Sequence, residues 1–191
     1  MPLPAPRSER TLRHTRSMTF EVHERADGLF DLDAHLTDVK PDPVPFLDHV
    51  NPAGRPVHDM WLRVTLDRKL NVVDAVSALD NVPHAGQCEG IGPDYARLIG
   101  LNLMRGFRQG VRERFGDTGR CTHVNELANN LPTIVVQGLF HTLVRNVSAT
   151  RKPLPIDKCH AQVSHGEVVR RLYPMWYQPR AAGAATNEEN P

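Results

Sequence analysis

Residues 60–66 read MWLRVTL, a regular alternation of apolar and polar side chains. Successive side chains of a β-strand point to opposite faces, so this alternation predicts a strand with one apolar and one polar face. A second run, from Leu70 to Ala78, follows a short charged turn. The two runs together predict a β-hairpin.

An earlier pair of alternating runs lies within residues 19–38. An Asp-Gly pair ending at Gly28 separates the two runs, and it supplies the positive φ that a tight turn needs. The sequence therefore predicts a first hairpin, with Asp31, Asp33 and Asp38 as solvated carboxylates on or beside its polar face. The apolar members of the two runs are Phe20, Val22, Phe30, Leu32, Ala34 and Leu36.

The second half of the chain changes to helical spacing. Over residues 93–115 the apolar side chains recur every three or four positions, which predicts one long helix that ends in a glycine-bearing loop. Another helix is predicted from Thr122, a suitable N-cap, to Leu139, and Pro132 is expected to kink or split it. Strands first and helices afterwards indicate the α+β class: an antiparallel β-sheet of two hairpins with two or three helices packed on one face.

The length and composition suit one domain with polar ends. The chain has 191 residues and a hydrophobic share of 40%, which is enough for one ordinary core. Both ends are rich in Pro, Ala and polar residues without periodicity. We therefore predict a disordered N-terminal segment over residues 1–15, a single α+β domain over 16–177 and a disordered C-terminal tail over 178–191.

Charge and cysteine content argue against several classes of protein. Lys+Arg (23) and Asp+Glu (22) nearly cancel, which leaves no basic field for phosphate backbones, so we expect no nucleic-acid partner. No apolar run approaches the roughly 18 residues of a membrane span, so we expect no membrane partner either. Three widely spaced cysteines and a polar start without an apolar signal core suit a cytoplasmic protein.

The tripeptide Cys121-Thr122-His123 opens the second predicted helix. Unpaired N–H groups and the helix dipole favour negative charge there, so we expect Cys121 to be partly thiolate, the form that binds metal or attacks an electrophile. His123 adds an imidazole, which makes the pair a chelating unit for zinc or iron. The alternative interpretation is that Cys121 is a small buried side chain and His123 a surface one.

Cys88 lies in a predicted loop between the second hairpin and the first long helix. With Cys121 and His123 it would supply three nitrogen or sulfur ligands and leave a fourth position for water, substrate or another side chain. His58 and Asp59, at the start of a predicted strand, are candidates for that position, as ligand or as base. They equally suit strand-start residues that bond to local backbone.

Several motifs together resemble a known family. They are Arg25-x-Asp27-Gly28, Leu36-x-Asp38, Val57-His58-Asp59-Met60, residues 83–88, and Gly119-x-Cys121-Thr122-His123 followed by an Asn-Glu-Leu helix. In this combination they resemble an uncharacterised bacterial family, the domain-of-unknown-function family number 2889, over roughly residues 12–143. The resemblance implies no activity, because the function of that family is unknown.

The order of the elements is also similar to the U-type iron–sulfur scaffold fold. A strand pair, a loop cysteine at Cys88, a long helix and a Cys/His pair at the start of another helix are common to both. In the scaffold, cysteines and a histidine at such places bind zinc or a nascent cluster. The first cysteine of the scaffold is absent here, and its adjacent His-Cys pair is Cys-Thr-His, so the resemblance implies a single zinc or iron ion rather than cluster assembly.

We consider three functions. The first is a metal-binding protein with a zinc or iron ion, possible ligands Cys88, Cys121, His123 and His58, and open coordination for a small molecule. As an enzyme it would use His58, Asp59, Cys121 and His123 as catalytic groups. The second is a metal-independent lyase or hydrolase of a small, for example aromatic, substrate that uses Cys121 and His123. The third is a non-catalytic ligand-binding or interaction module, and a homodimer is expected from the frequency of such assemblies.

Overall fold

In the computed structural model of this protein, residues 3–116, 118–140, 152–153 and 155–180 are described. Regular secondary structure begins at Thr15, the last residue of the predicted N-terminal segment, and residues 3–14 contain none. Residues 181–191 of the predicted disordered tail lie outside the described residues. The chain divides into two compact units, Met1–Gly138 and Leu139–Pro191. The single domain over residues 16–177 stays a prediction.

The first unit is built on a four-stranded antiparallel sheet. Two-residue strands pair within the proline-rich connection that leads from the second strand of the sheet to the third. Both predicted hairpins are confirmed, and Gly28 supplies the positive φ, 84°, at the first turn. In chain order the strands are β1 (Thr15–Glu24), β2 (Phe30–Val39), β3 (Val44–Pro45), β4 (Val50–Asn51), β5 (Pro56–Leu66) and β6 (Val72–Asn81), and the sheet order is β1-β2-β5-β6.

One face of this sheet is apolar. Leu32, Ala34 and Leu36 of β2 are fully buried. Burial of a leucine-sized side chain contributes about 1.5–3 kcal/mol, so this row fixes the register of the strands as well as their stability. Their cross-strand partners in β5 are Val64, Leu62 and Met60, which are equally buried.

The predicted single helix over residues 93–115 is wrong. The structure has a 3-10 helix (Cys88–Leu98) and a separate α-helix, α1 (Phe107–Phe115). Between them Gly100 and Gly106 have φ angles of 87° and 65°, which are incompatible with a continuous right-handed helix. The backbone there bonds to the edge strand instead, since Gly100 N–H donates to the Val72 carbonyl.

Helix α2 (Thr122–Gly138) covers the apolar face of the sheet. It contacts β1, β2 and β5, and α1 packs against it, which confirms the α+β class with helices on one face. The helix continues through Pro132, so the predicted split is wrong, because burial of Leu131 and Val135 holds the second half in place. A Cβ atom on Gly138 would lie 2.5 Å from the Val22 side chain, so α2 approaches β1 closely.

The second unit has only short elements in its described part. They are a 3-10 turn at His160–Gln162, helix α3 (Glu167–Leu172) and a 3-10 turn at Pro174–Trp176. Its buried apolar side chains include Leu139, Ile156 and Val169. Across the described part of the chain, no helix combines the length and the hydrophobicity that crossing a bilayer requires.

Candidate functional site

Two polar residues lie on the apolar face of the sheet at one end. Asp38 of β2 and His58 of β5 are cross-strand partners, and they continue the rows that contain Leu36 and Met60. Side chains two residues apart on a strand point the same way, so both lie on the helix-covered face. Asp38 is only 4% exposed, so its interpretation as a solvated carboxylate is wrong.

Asp38 receives hydrogen bonds from three other residues. Arg16 of β1 donates to both carboxylate oxygens, from Nε to Oδ1 at 2.8 Å and from Nη2 to Oδ2 at 2.7 Å. His14 Nε2 lies 2.7 Å from Oδ1, and His58 Nδ1 lies 2.9 Å from Oδ2. Arg16 also forms an ion pair of 2.5 Å with Glu126 of α2. One carboxylate therefore links three strands, and through Arg16 the helix as well.

The Asp38 carboxyl is ionised at neutral pH. Burial raises its pKa, but the hydrogen bonds from Arg16, His14 and His58 together outweigh burial and hold that pKa well below its usual range. A buried carboxylate without such donors would be strongly destabilising. The donors therefore make this charge compatible with the covered face of the sheet.

His123 brings a second imidazole to the same place. It lies in the first turn of α2, and its ring centroid is 3.8 Å from that of His58. Its Nε2 atom lies 3.6 Å from Asp38 Oδ2. One ligand atom from each of Asp38, His58 and His123 lies within 4.8 Å of the other two, and the described residues form no second group of this kind. We call these three residues the Asp–His–His group.

Both imidazoles of the group favour the neutral form. Burial lowers the pKa of His58, although its hydrogen bond to Asp38 acts in the opposite direction. Burial also lowers the pKa of His123, and the neighbouring His58 and Arg16 add to the decrease. A neutral imidazole can accept a proton or bind a metal ion.

Cys121 lies beside this group, directly before α2 begins, so the predicted helix start is confirmed. Its Sγ atom is 4.0 Å from His123 Nδ1 and 3.8 Å from the Met60 sulfur. Tyr95 of the 3-10 helix holds the backbone here, because its hydroxyl accepts the Cys121 N–H at 3.2 Å and lies 2.9 Å from the Cys121 carbonyl oxygen. The thiol therefore lies beside Nδ1 of His123, whereas Asp38 lies beside Nε2.

Asp59 is not part of the Asp–His–His group. It follows His58 in β5, so its side chain lies on the opposite face of the sheet. There it lies 2.6 Å from His35 Nε2, and the His35 ring stacks on Trp61 with the centroids 3.7 Å apart. The sequence pairs Asp59 with His58 as candidates for one position, but the alternation of the strand separates them.

Cys88 also lies outside this group. It is the first residue of the 3-10 helix that follows β6, and its backbone N–H donates to the His84 carbonyl at 3.0 Å. Its side chain is half-buried. The roles of Cys88 and Cys121 as metal ligands stay predictions, since the three residues whose ligand atoms all lie close to one another are a carboxylate and two histidines.

Sequence reasoning misses Asp38 as a site residue, together with its partners His14 and Arg16. The signal for Asp38 is its position in the alternation of β2. It falls on the same face as the buried apolar residues, where a carboxylate needs partners. No comparable signal exists for His14 and Arg16. Strand β1 is exposed over most of its length, and nothing local distinguishes these two side chains from solvated ones.

Comparison with known proteins identifies one family. A family model described as Protein of unknown function (DUF2889) matches residues 14–137, more than half of the chain. The matched range begins at His14 and contains every residue of the Asp38 network. No curated protein and no solved structure matches this chain. The similarity to the iron–sulfur scaffold therefore stays a prediction.

Proposed function

Because the chain belongs to the DUF2889 family, as its motifs predict, and because that family has no described activity, we propose a function from the site alone. The protein binds one zinc or iron ion through Asp38, His58 and His123. The observation that supports this proposal is the meeting of two imidazoles and one carboxylate at the end of the sheet. Zinc and non-haem iron share these donor types.

The spacing of the donor atoms suits such an ion. Metal–ligand distances of about 2.0–2.1 Å in a tetrahedral site place the ligand atoms roughly 3.3 Å apart. Asp38 Oδ2 lies 2.9 Å from His58 Nδ1 and 3.6 Å from His123 Nε2, which are values on either side of that spacing. Small shifts of the side chains bring both pairs to it.

Arg16 sets the charge around the proposed ion. The ion would share Asp38 with the Arg16 guanidinium, and two cations at one carboxylate repel each other. Glu126 offsets part of this repulsion, because it pairs with Arg16. The ion would replace the hydrogen atom between His58 and Asp38, so His58 would carry its proton on Nε2 in the metal-bound form.

Three protein ligands leave a further coordination position. Water or a substrate oxygen at that position would be polarised by the ion, as in catalytic metal sites. Cys121, whose thiol lies next to His123, is available there as a fourth ligand or as an acid–base group. Both histidines are partly exposed, which gives a small molecule access. The proposed activity is metal-assisted chemistry on a small molecule.

Elemental analysis of protein purified without an affinity tag tests this proposal. We expect one zinc or iron ion per chain, and its loss in His58→Ala and in His123→Ala. His35→Ala is the matched control, because His35 also pairs with an aspartate across β2 and β5, but on the other face of the sheet. Sub-stoichiometric metal that is equal in the wild type and in His58→Ala would overturn the proposal.

A second candidate function rests on a different observation. Cys121 Sγ lies 4.0 Å from His123 Nδ1, and His123 Nε2 lies 3.6 Å from Asp38 Oδ2. The three side chains thus follow the order of nucleophile, base and orienting carboxylate that cysteine-dependent enzymes use. The protein would then be a metal-independent hydrolase or lyase of a small, for example aromatic, substrate.

Thiol labelling of metal-free protein distinguishes the two candidates. The second candidate predicts fast alkylation of Cys121 at neutral pH, slowed at least about tenfold by His123→Gln. Cys159, an exposed thiol of the second unit, is the internal control. Equal rates at Cys121 and Cys159, with no effect of His123→Gln, would remove this candidate.

Location and assembly belong to the same proposal. All three cysteines are free thiols, which supports a reducing, cytoplasmic location. The formal net charge of +1 supports a small molecule rather than a nucleic acid as the partner. A homodimer stays a prediction, which size-exclusion chromatography with light scattering tests directly.

A further inference from the structure

A polar groove lies along the first turns of α2, the helix that carries His123 of the Asp–His–His group. Its volume is about 510 Å³, which lies in the range of small-molecule sites. Arg108 of α1, Arg120 before α2, and Thr122, Asn125 and Glu126 of α2 line it, together with two further asparagines. Every lining residue carries a polar or charged side chain, so the groove offers hydrogen-bonding groups to a polar ligand.

Two arginines give this groove an excess of positive charge. Arg108 donates to the Asn129 carbonyl at 2.9 Å and to the Thr133 hydroxyl at 3.3 Å, which are both neutral acceptors. Neither Arg108 nor Arg120 forms an ion pair within the described part of the chain. The acidic residue of the lining, Glu126, is already paired with Arg16.

Asn125 adds a buried polar group to the lining. It is 7% exposed, and its Oδ1 atom lies 2.8 Å from the Tyr95 hydroxyl. Its Nδ2 group has no partner among the residues that the structure describes, yet it is not sealed from solvent. Because solvent reaches this donor and no protein group occupies it, an acceptor atom of a ligand in the groove can bond to it.

We propose that the groove binds a small molecule through a carboxylate or phosphate group, with Arg108 and Arg120 as charged donors and Asn125 as a neutral donor. Planar guanidinium groups suit both oxyanions, because they donate two parallel hydrogen bonds. Glu126 in the lining forms an ion pair with Arg16, and Arg16 binds Asp38, so the groove is connected to the proposed metal site through these side chains. The identification of this ligand as the substrate rests on the proposed function. Its binding in the groove is independent of that function.

Titration of the purified protein with inorganic phosphate and, separately, with citrate tests the proposal by calorimetry and by amide chemical shifts. We expect saturable binding with shifts concentrated at the start of α2, and the tighter probe identifies the preferred oxyanion. Arg108→Gln and Arg120→Gln should each weaken binding about tenfold or more, since each removes a charge-assisted hydrogen bond. Arg112→Gln should leave affinity unchanged, because Arg112 lies on α1 outside the groove.

Metal content measured on the same preparations before either anion is added separates this proposal from the proposed function. The groove proposal is overturned if both anions bind the double variant Arg108→Gln/Arg120→Gln as tightly as they bind the wild type. This holds whatever the metal content. Absence of metal together with arginine-dependent anion binding overturns only the metal site. Circular dichroism of each variant checks that it is folded. Asn125→Asp, which places a negative charge in the groove, is an independent variant that should also weaken anion binding.

Discussion

Two His–Asp pairs lie on opposite faces of the same two strands. His58 of β5 pairs with Asp38 of β2 on the helix-covered face, and His35 of β2 pairs with Asp59 of β5 on the open face. The contacts are similar, at 2.9 and 2.6 Å. Only Asp38, however, also binds an arginine on both of its oxygens.

The surroundings therefore decide what each pair can do. The Asp38 side chain is 6% exposed, whereas that of Asp59 is 28% exposed, so water can solvate the charge of Asp59 but not that of Asp38. His35 stacks on Trp61, whereas the His58 ring contacts a second imidazole that is tilted by 31°. We therefore regard a His–Asp pair as a candidate functional site only where it is buried and where further donor atoms lie beside it.

The largest difference between the pairs is expected in metal binding. His58→Ala removes a proposed ligand, so it should lower zinc affinity by more than about a hundredfold, beyond the range typical of outer-shell changes. His35→Ala should leave that affinity unchanged. Competition with a chromophoric zinc chelator measures both variants, and equal losses in the two would contradict the comparison.

A large difference is also expected in stability. Asp38→Asn removes a buried charge and leaves Arg16 without its bidentate partner, so it should lower the free energy of unfolding by about 3 kcal/mol. Asp59→Asn, on the open face, should lower it by less than about 1 kcal/mol. Urea denaturation followed by circular dichroism measures both, and similar costs would show that cover does not distinguish the two aspartates.

A third, smaller effect concerns acid stability on the open face. Asp33 accepts two hydrogen bonds from Arg63, both 2.6 Å long, and these lower the Asp33 pKa although burial acts in the opposite direction. The stability that this pair contributes is present above the usual aspartate pKa of about 3.9 and is lost as pH falls through the lower folded value.

Asp33→Asn should therefore cost roughly 0.5–1 kcal/mol at pH 7, because Arg63 is half-exposed and solvent screens the pair. The cost should shrink toward zero as the pH falls below the folded pKa of Asp33. Urea denaturation of wild type and variant across this pH range measures the trend. A cost that does not change with pH would mean that the ion pair contributes nothing.

The smallest expected effect is that of Glu126→Gln. Its ion pair with Arg16 is about one third exposed on both sides, so its loss should lower the free energy of unfolding by less than about 0.5 kcal/mol. Zinc affinity should fall a few-fold, because the Arg16 charge is no longer offset. Glu113→Gln on α1 is the control, and an equal change in zinc affinity there would remove the role given to Glu126.

The hairpins are predictable from the sequence because their signals are local. Alternation along the strands and a glycine at the first turn act within a few residues. The break between the 3-10 helix and α1 is not predictable in this way. Apolar residues keep helical spacing across Gly100 and Gly106, and the competing bond from Gly100 to Val72 joins parts of the chain that are distant in sequence.

The candidate site divides in the same way. Cys121 and His123 are neighbours in the chain, so their proximity follows from the sequence. Asp38 meets His58 and Arg16 only because three strands pair in one particular register. Residue type alone draws attention to Cys88 and Asp59, but type carries no information on which face of a strand or which end of the sheet a side chain occupies.

The network around Asp38 is assembled from residues between His14 and Glu126, so it is incomplete in a nascent chain that does not yet contain α2. While the ribosome is still translating α2, the four strands can already have emerged, but the apolar face that α2 covers is still open to water and to other chains. Asp38 and Arg16 already lie on that face at this stage, and charged side chains pointing inward discourage the association of uncovered sheets. We therefore expect the residues of the candidate site also to disfavour aggregation of the incomplete protein.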